Sequence, residues 1–184
     1  MTWPPSCKTM VRMPQPLVLT RSRERDAEVP TRRGPGMTVP PTALFVGGFW
    51  LGVWWNTYQS WPLEAQGTSV LTAIGWLLVV AGMTLFVAGL VTFARARTGI
   101  MLQHAATAVV EAGPYRWSRN PQYVAFVAIY IGASLVANSA WPLLLLPVVI
   151  GALHALVIAR EERYMQRTFP QAYGEYCQRV RRWL

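Results

Sequence analysis

Cysteine is scarce in this chain: Cys7 and Cys177 are the only two. Neither has the spacing of a metal site or a redox pair, which argues against a disulfide scaffold and a dithiol centre. Histidine is as rare, with His104 and His154, and Lys8 is the only lysine. No cluster of His, Cys, Asp and Glu has metal-ligand spacing, so no metal is expected. Charge is thin as well. Only 14% of residues are charged, against about 25% in an ordinary soluble domain. No glycine-rich turn joins a strand to a helix and no strand–helix alternation exists, which removes a soluble nucleotide-binding fold. A phosphate loop and a Ser/His/Asp set are missing too.

What is present is apolar and blocky. Hydrophobic residues make up 53% of the 184, and they come in long runs rather than in an amphipathic rhythm. Residues 1–36 differ, with six prolines, seven basic and three acidic residues. They read as a disordered basic tail with no secretory signal. Met37 directly precedes the first apolar block and could serve as a start, leaving the tail untranslated. Four blocks follow, at 41–58, 70–94, 123–137 and 141–159. A spanning helix needs about 20 residues. The second and fourth pass easily, the first is adequate, and the third is the weakest taken alone. Trp50, Trp54, Trp55 and Tyr58 suit an interfacial belt.

Arginine dominates the formal net charge of +9, and its placement orients the chain. Arg32 and Arg33 precede the first block. Loop 59–69 has no basic residue. Loop 95–120 carries Arg95, Arg97, Arg116 and Arg119, and the turn at 138–140 carries none. Arg160, Arg163, Arg167, Arg179, Arg181 and Arg182 follow the fourth block. Basic residues thus alternate side with each crossing, as the positive-inside rule requires, and that pattern supports the third span. Both termini are expected in the cytosol, with reduced thiols and Cys177 half-buried on a helix face. The basic residues flank apolar blocks, so the expected partner is the bilayer and not nucleic acid.

Gly48 and Gly52 form a small-xxx-small pair, and Gly75, Gly82 and Gly89 recur every seven residues. Such glycines let helix backbones approach closely in lipid. Ser139 and Pro142 suit the start of the fourth helix. Residues 160–183 are amphipathic: Met165, Phe169, Tyr173, Tyr176 and Val180 recur at helical spacing, and Pro170 breaks the run near Phe169. The expected fold is all-α, a polytopic membrane protein with four transmembrane helices and a cytoplasmic C-terminal amphipathic helical segment. Residues 37–184 form one membrane domain.

Two segments on one membrane face could carry chemistry. The loop holds His104, Glu111, Tyr115, Arg116, Arg119 and Asn120; the fourth helix ends in Arg160, Glu161 and Glu162. Adjacent carboxylates near lipid need cations or donors to satisfy them. One reading has them pair with Arg116, Arg119 or Arg163 and fasten the loop. Asn120 before Pro121 also reads as a helix cap. His154 either packs or lines a cavity.

The stretch Gly113-Pro-Tyr-Arg-Trp-Ser-Arg-Asn-Pro-Gln-Tyr123 resembles a signature of the isoprenylcysteine carboxyl methyltransferase and phospholipid methyltransferase superfamily. Arg160-Glu-Glu-Arg-Tyr-Met-Gln-Arg-Thr-Phe169, followed by Tyr173 and Tyr176, resembles the same superfamily's paired-glutamate motif. The resemblance covers residues 98–184. It implies a bacterial-type enzyme of the cytoplasmic membrane that uses S-adenosylmethionine, with the cofactor site in 98–184. Carried over by motif, the cofactor-contacting set is Arg116, Arg119, Asn120, Tyr123, Glu161 and Glu162, with Tyr115, Tyr173 and Tyr176 as second choices. Arg119, Asn120 and Glu162 are the catalytic candidates. The substrate is a lipophilic acceptor bearing a carboxylate, an amine or a thiol. Alternatives are a phospholipid or amine N-methyltransferase on the same scaffold and a non-catalytic lipid-binding subunit; the oligomeric state stays open. Asn120 stands where many members have His, Ala125 where Gly is common, and Pro170 where Gly follows the Phe. These departures set the chain apart from the eukaryotic prenylcysteine enzymes.

Overall fold

A computed structural model describes residues 39–63, 70–96 and 111–183. The tail with Cys7, Arg32 and Arg33, residues 64–69 of the first loop, and Arg97 and His104 of the second lie outside the described residues.

Helix α1 spans Pro41–Tyr58 and α2 spans Val70–Ala96. A 3-10 turn at Gly113–Arg116 leads into α3, Pro121–Val136. Pro41 and Pro121 each sit in the first turn, where a missing N–H costs little. Helix α4, Ala140–Leu153, continues through a π turn at His154–Ile158 into α5, Ala159–Thr168. Helix α6, Pro170–Arg179, follows the break at Phe169, whose φ of −133° and ψ of 62° interrupt the helix where proline requires it.

Two helical stretches are long and apolar enough to cross a membrane, Val70–Thr92 and Ala140–Thr168. Only 17% and 28% of their apolar windows are buried, so neither is the core helix of a soluble protein. Trp76, Leu77, Val80 and Val148 lie exposed along them and meet lipid rather than water. Helix α3 starts earlier than the apolar block that announces it and has 16 residues, too few to span by length alone.

The fourth block runs on for 29 residues to Thr168 instead of stopping at 159. At 1.5 Å per residue that is about 44 Å, against a hydrocarbon core of about 30 Å. A core of that thickness takes about the first 20 residues from Ala140, and Arg160, Glu161 and Glu162 come after them in the chain.

Successive helices alternate in direction. Helices α2 and α3 run antiparallel with their backbones close. A Cβ at Gly75 would lie 2.8 Å from the Gly132 carbonyl, and one at Gly82 would lie 2.9 Å from the Ala125 carbonyl. Gly89 completes the stripe opposite the Gln122 side chain. Helix α1 rides on α4, with Gly52 against Pro142. Between the pairs lies a core of Phe45, Tyr123, Tyr130, Val149, Leu153, Val157 and Ile158. The Tyr130 hydroxyl donates to the Pro142 carbonyl at 2.9 Å and ties α3 to α4.

The end of the bundle away from the arginines is aromatic. Trp54, Trp55, Tyr58, Trp61 and Trp141 form a chain of edge-on ring contacts. Asn138, with φ of 48°, turns the chain between α3 and α4, and its side-chain oxygen accepts the Leu63 N–H at 2.9 Å. Ser139 does occupy the N-cap position of α4, but its buried hydroxyl makes no cap bond. The Trp61 carbonyl, 3.0 Å away, takes the first N–H of that helix instead.

Gly132→Ala is expected to destabilise the protein by about 1–3 kcal/mol, because the new methyl meets α2 backbone that cannot yield. Gly47→Ala, with nothing within 4 Å of the new methyl, is expected to leave stability unchanged. Thermal unfolding of both variants in detergent checks the pair.

Candidate functional site

Residues 111–119, ahead of α3, are held against α6 and the residues beyond it. Glu111 receives both of its bonds from Arg179, at 3.0 and 2.9 Å. The Tyr176 hydroxyl donates to the Tyr115 carbonyl at 2.7 Å. Ser118 pairs with Arg181 as an isolated parallel bridge, and the Arg119 N–H donates to the Arg181 carbonyl at 2.9 Å. The loop enters through Gly113, whose φ of +56° disfavours any side chain and whose Cβ would lie 2.6 Å from the Thr92 hydroxyl.

Consecutive residues on a helix point about 100° apart, and the two glutamates at the start of α5 face different neighbours. Glu162 is gripped by Arg182, whose Nε and Nη2 donate to its two oxygens at 2.8 and 2.7 Å. This fork is the strong, oriented form of the ion pair. Arg119 Nη1 stands 3.6 Å from the same carboxylate. Glu161 turns instead to α3, where the Tyr123 hydroxyl donates to it at 2.8 Å. Among the described residues no cation is within ion-pair distance of Glu161.

Tyrosines line the space between these groups. Tyr173 and Tyr176 are buried with ring centroids 6.2 Å apart. Burial raises the phenol pKa of both, and nearby Glu162 raises that of Tyr173 further. Burial likewise raises Tyr115, outweighing a hydrogen bond from Gln122 that acts the other way. All three remain neutral hydroxyls at physiological pH.

The structure gathers eight of the nine residues singled out from the sequence. Arg119, Asn120, Glu162, Tyr173 and Tyr176 surround the Arg182 side; Tyr115, Tyr123 and Glu161 surround the α3 side. Arg116 is the one not gathered: it ends the 3-10 turn with its side chain in solvent. Asn120 occupies the N-cap position of α3, yet its side chain makes no cap bond and donates to the Arg182 carbonyl at 3.1 Å. The expected pairing of a glutamate with Arg119 is present, whereas Arg163 is exposed and bonds the Ala159 carbonyl.

Three further residues enter the site that sequence reasoning missed. Arg182 belongs to the polar side of the amphipathic stretch 160–183, but the helix ends at Arg179 and the chain beyond it carries Arg182 to Glu162. Cys177, half-buried on α6, accepts a hydrogen bond from Arg119 at 2.9 Å. Gln122 stands inside the first motif between two residues that drew attention. Its side-chain oxygen is buried without a hydrogen-bond partner among the described residues.

A family model described as phospholipid methyltransferase matches residues 70–172, more than half of the chain. The chain belongs to the phospholipid methyltransferase family. The match runs from the start of α2 into α6 and takes in 113–123 and 160–169, so six of the eight gathered residues lie within it, while Tyr173 and Tyr176 follow its end. Methyl transfer to lipid-type substrates at a membrane is the activity of the phospholipid methyltransferase family, and the exposed apolar helices fit it. Comparison with curated proteins finds no match.

Tyr176→Phe removes the bond that pins the loop and is expected to cost about 1–2 kcal/mol. Hydrogen exchange at residues 113–120 checks it by rising. Unfolded tyrosines titrate near pH 10 and the buried ones higher. Their contribution is therefore complete below about pH 10 and is lost as pH rises beyond it. Melting temperature is expected to fall above that pH, less steeply in Tyr176→Phe.

Proposed function

We propose that this protein is an S-adenosylmethionine-dependent methyltransferase that acts on a lipophilic acceptor at the arginine-rich face of the membrane. The reading places both termini in the cytosol and has α1 and α3 cross the bilayer beside the two longer helices, as their alternating direction and the arginine pattern support. The observation that carries it is the meeting of two motifs some 40 residues apart, through Tyr123 on Glu161 and Arg119 on Glu162.

The donor set suits the cofactor. Its methionine end is a zwitterion, and Arg119 and Glu162 present opposite charges 3.6 Å apart. Arg119 would take the carboxylate and Glu162 the ammonium. Arg116, exposed, is left out of the clamp. The faces of Tyr115, Tyr173 and Tyr176 would receive the sulfonium by cation–π attraction. When bound, the cofactor supplies an electrophilic methyl group on sulfur, and the protein's task is positioning.

A second observation favours an amine acceptor over a carboxylate. Among the described residues Glu161 has a tyrosine hydroxyl and no cation against it, and the Gln122 oxygen has no donor. Such a corner repels a carboxylate and welcomes N–H donors. An amine nitrogen would attack the methyl carbon as the carbon–sulfur bond breaks, and its proton must leave. Glu161 is the carboxylate placed to take it.

Purified protein in lipid nanodiscs is expected to bind S-adenosylmethionine saturably by calorimetry. Arg119→Ala and Glu162→Gln should each weaken that binding at least about 30-fold, the loss expected when a partly buried charge pair is broken. Unchanged affinity in both would sink the cofactor assignment. Lipid extracts incubated with labelled cofactor should yield label on an amine headgroup; label released from a methyl ester by mild base would overturn the amine reading.

A further inference from the structure

Residues 180–183 lie beyond the family match, which ends at 172. They form no helix, yet their contacts converge on Arg119, Asn120 and Glu162. The Arg182 guanidinium takes both oxygens of Glu162 at 2.8 and 2.7 Å. Its carbonyl accepts the Asn120 amide at 3.1 Å and the Ser118 hydroxyl at 3.4 Å. The neighbouring Arg181 carbonyl accepts the Arg119 N–H at 2.9 Å. Trp183 packs on the hydrophobic core and pins the segment's far end. The Arg182 fork and two of the segment's three carbonyl bonds thus fall on those three residues, more than a segment that only covers the surface would need.

We propose that Arg182, carried on this segment, is a positioning residue of the cofactor site. The inference rests on the cofactor reading above. The charge balance gives the reason. Two guanidiniums meet one carboxylate, so the cluster is net positive and Arg119 keeps charge to offer a ligand. The fork from Arg182 also fixes the plane of the Glu162 carboxylate, and its carbonyl fixes the Asn120 side chain. Without Arg182, Glu162 has among the described residues one cation left, Arg119, 3.6 Å away. Arg119 is then drawn onto Glu162 and away from the cofactor's carboxylate. Affinity for cofactor falls, while the methyl-transfer step, which Arg182 does not touch, keeps its rate at saturation.

The test uses the full chain in nanodiscs and S-adenosylmethionine as the probe, with calorimetry and steady-state kinetics. Arg182→Gln is expected to weaken cofactor binding about tenfold, the scale of one charge-assisted hydrogen-bond pair. Its KM for cofactor should rise to match, with kcat little changed. Arg182→Lys, which keeps the charge but loses the fork, should recover part of the affinity. Arg167→Gln removes an exposed arginine outside the cluster and should bind as the unmodified protein does. The inference is overturned if Arg182→Gln binds as tightly as the unmodified protein, if it lowers only the melting temperature, or if Arg167→Gln weakens binding equally. Failure of the unmodified protein to bind would bring down the cofactor reading itself, a different result from tight binding by both.

Discussion

Hydrocarbon accepts only so much helix. A bilayer core of about 30 Å takes about 20 residues, and the long helix beginning at Ala140 has 29. The surplus turns leave the core with the direction already set by α4. That constraint decides where Glu161 and Glu162 lie. They stand on a rigid extension of a membrane helix, at the depth where apolar packing gives way to charge. The loop after α2 comes to meet them at that level because α2 ends on the same side, and α3 starts there. Elements that depend on this meeting, from the 3-10 turn to the segment after α6, are individually short and would not persist alone.

Placing carboxylates at this boundary is costly unless donors satisfy them. The two glutamates meet that demand in unlike ways. Glu162 is neutralised by arginines, one of which approaches from the loop and the other from past α6. Glu161 has one tyrosine hydroxyl. The result is a site with one carboxylate held by cations and the next held by a neutral hydroxyl. A cofactor with a zwitterionic end and an acceptor with an apolar body ask for that division.

Much of this was legible in the residues. Block lengths pointed to membrane helices, and the arginines marked the end of the bundle where the two motifs meet. The glycine stripe of α2 foretold its close partner, and Pro170 foretold the break after Thr168. Two motifs named eight of the residues that come together. What escaped was set by tertiary contact. Asn120 before Pro121 spells a helix cap, but its amide finds a carbonyl 62 positions further along the chain. Ser139 spells a cap as well, and the backbone of the first loop reaches that helix end before its hydroxyl does. Arg116 and Arg119 look alike in the motif; a 3-10 turn sends one to solvent and the other inward. Arg182 reads as one more arginine of an amphipathic face, because its role comes from where the end of α6 delivers it.

The π turn at His154–Ile158 acts as an angular joint. It houses one residue more than an α turn would, so everything past it is rotated by about 100° relative to an uninterrupted helix. The apolar face that α4 turns to α1 and the carboxylates beyond the joint are therefore phased separately along one rod. Deletion of the extra residue would let the joint relax to plain α-helix with Glu161 and Glu162 still in phase with Tyr123 and the two arginines. Closing the joint while keeping that residue would instead turn both carboxylates by about 100° and away from their partners, with the packing of α4 on α1 untouched. The placing of these two side chains thus depends on one backbone turn that is wider than the rest.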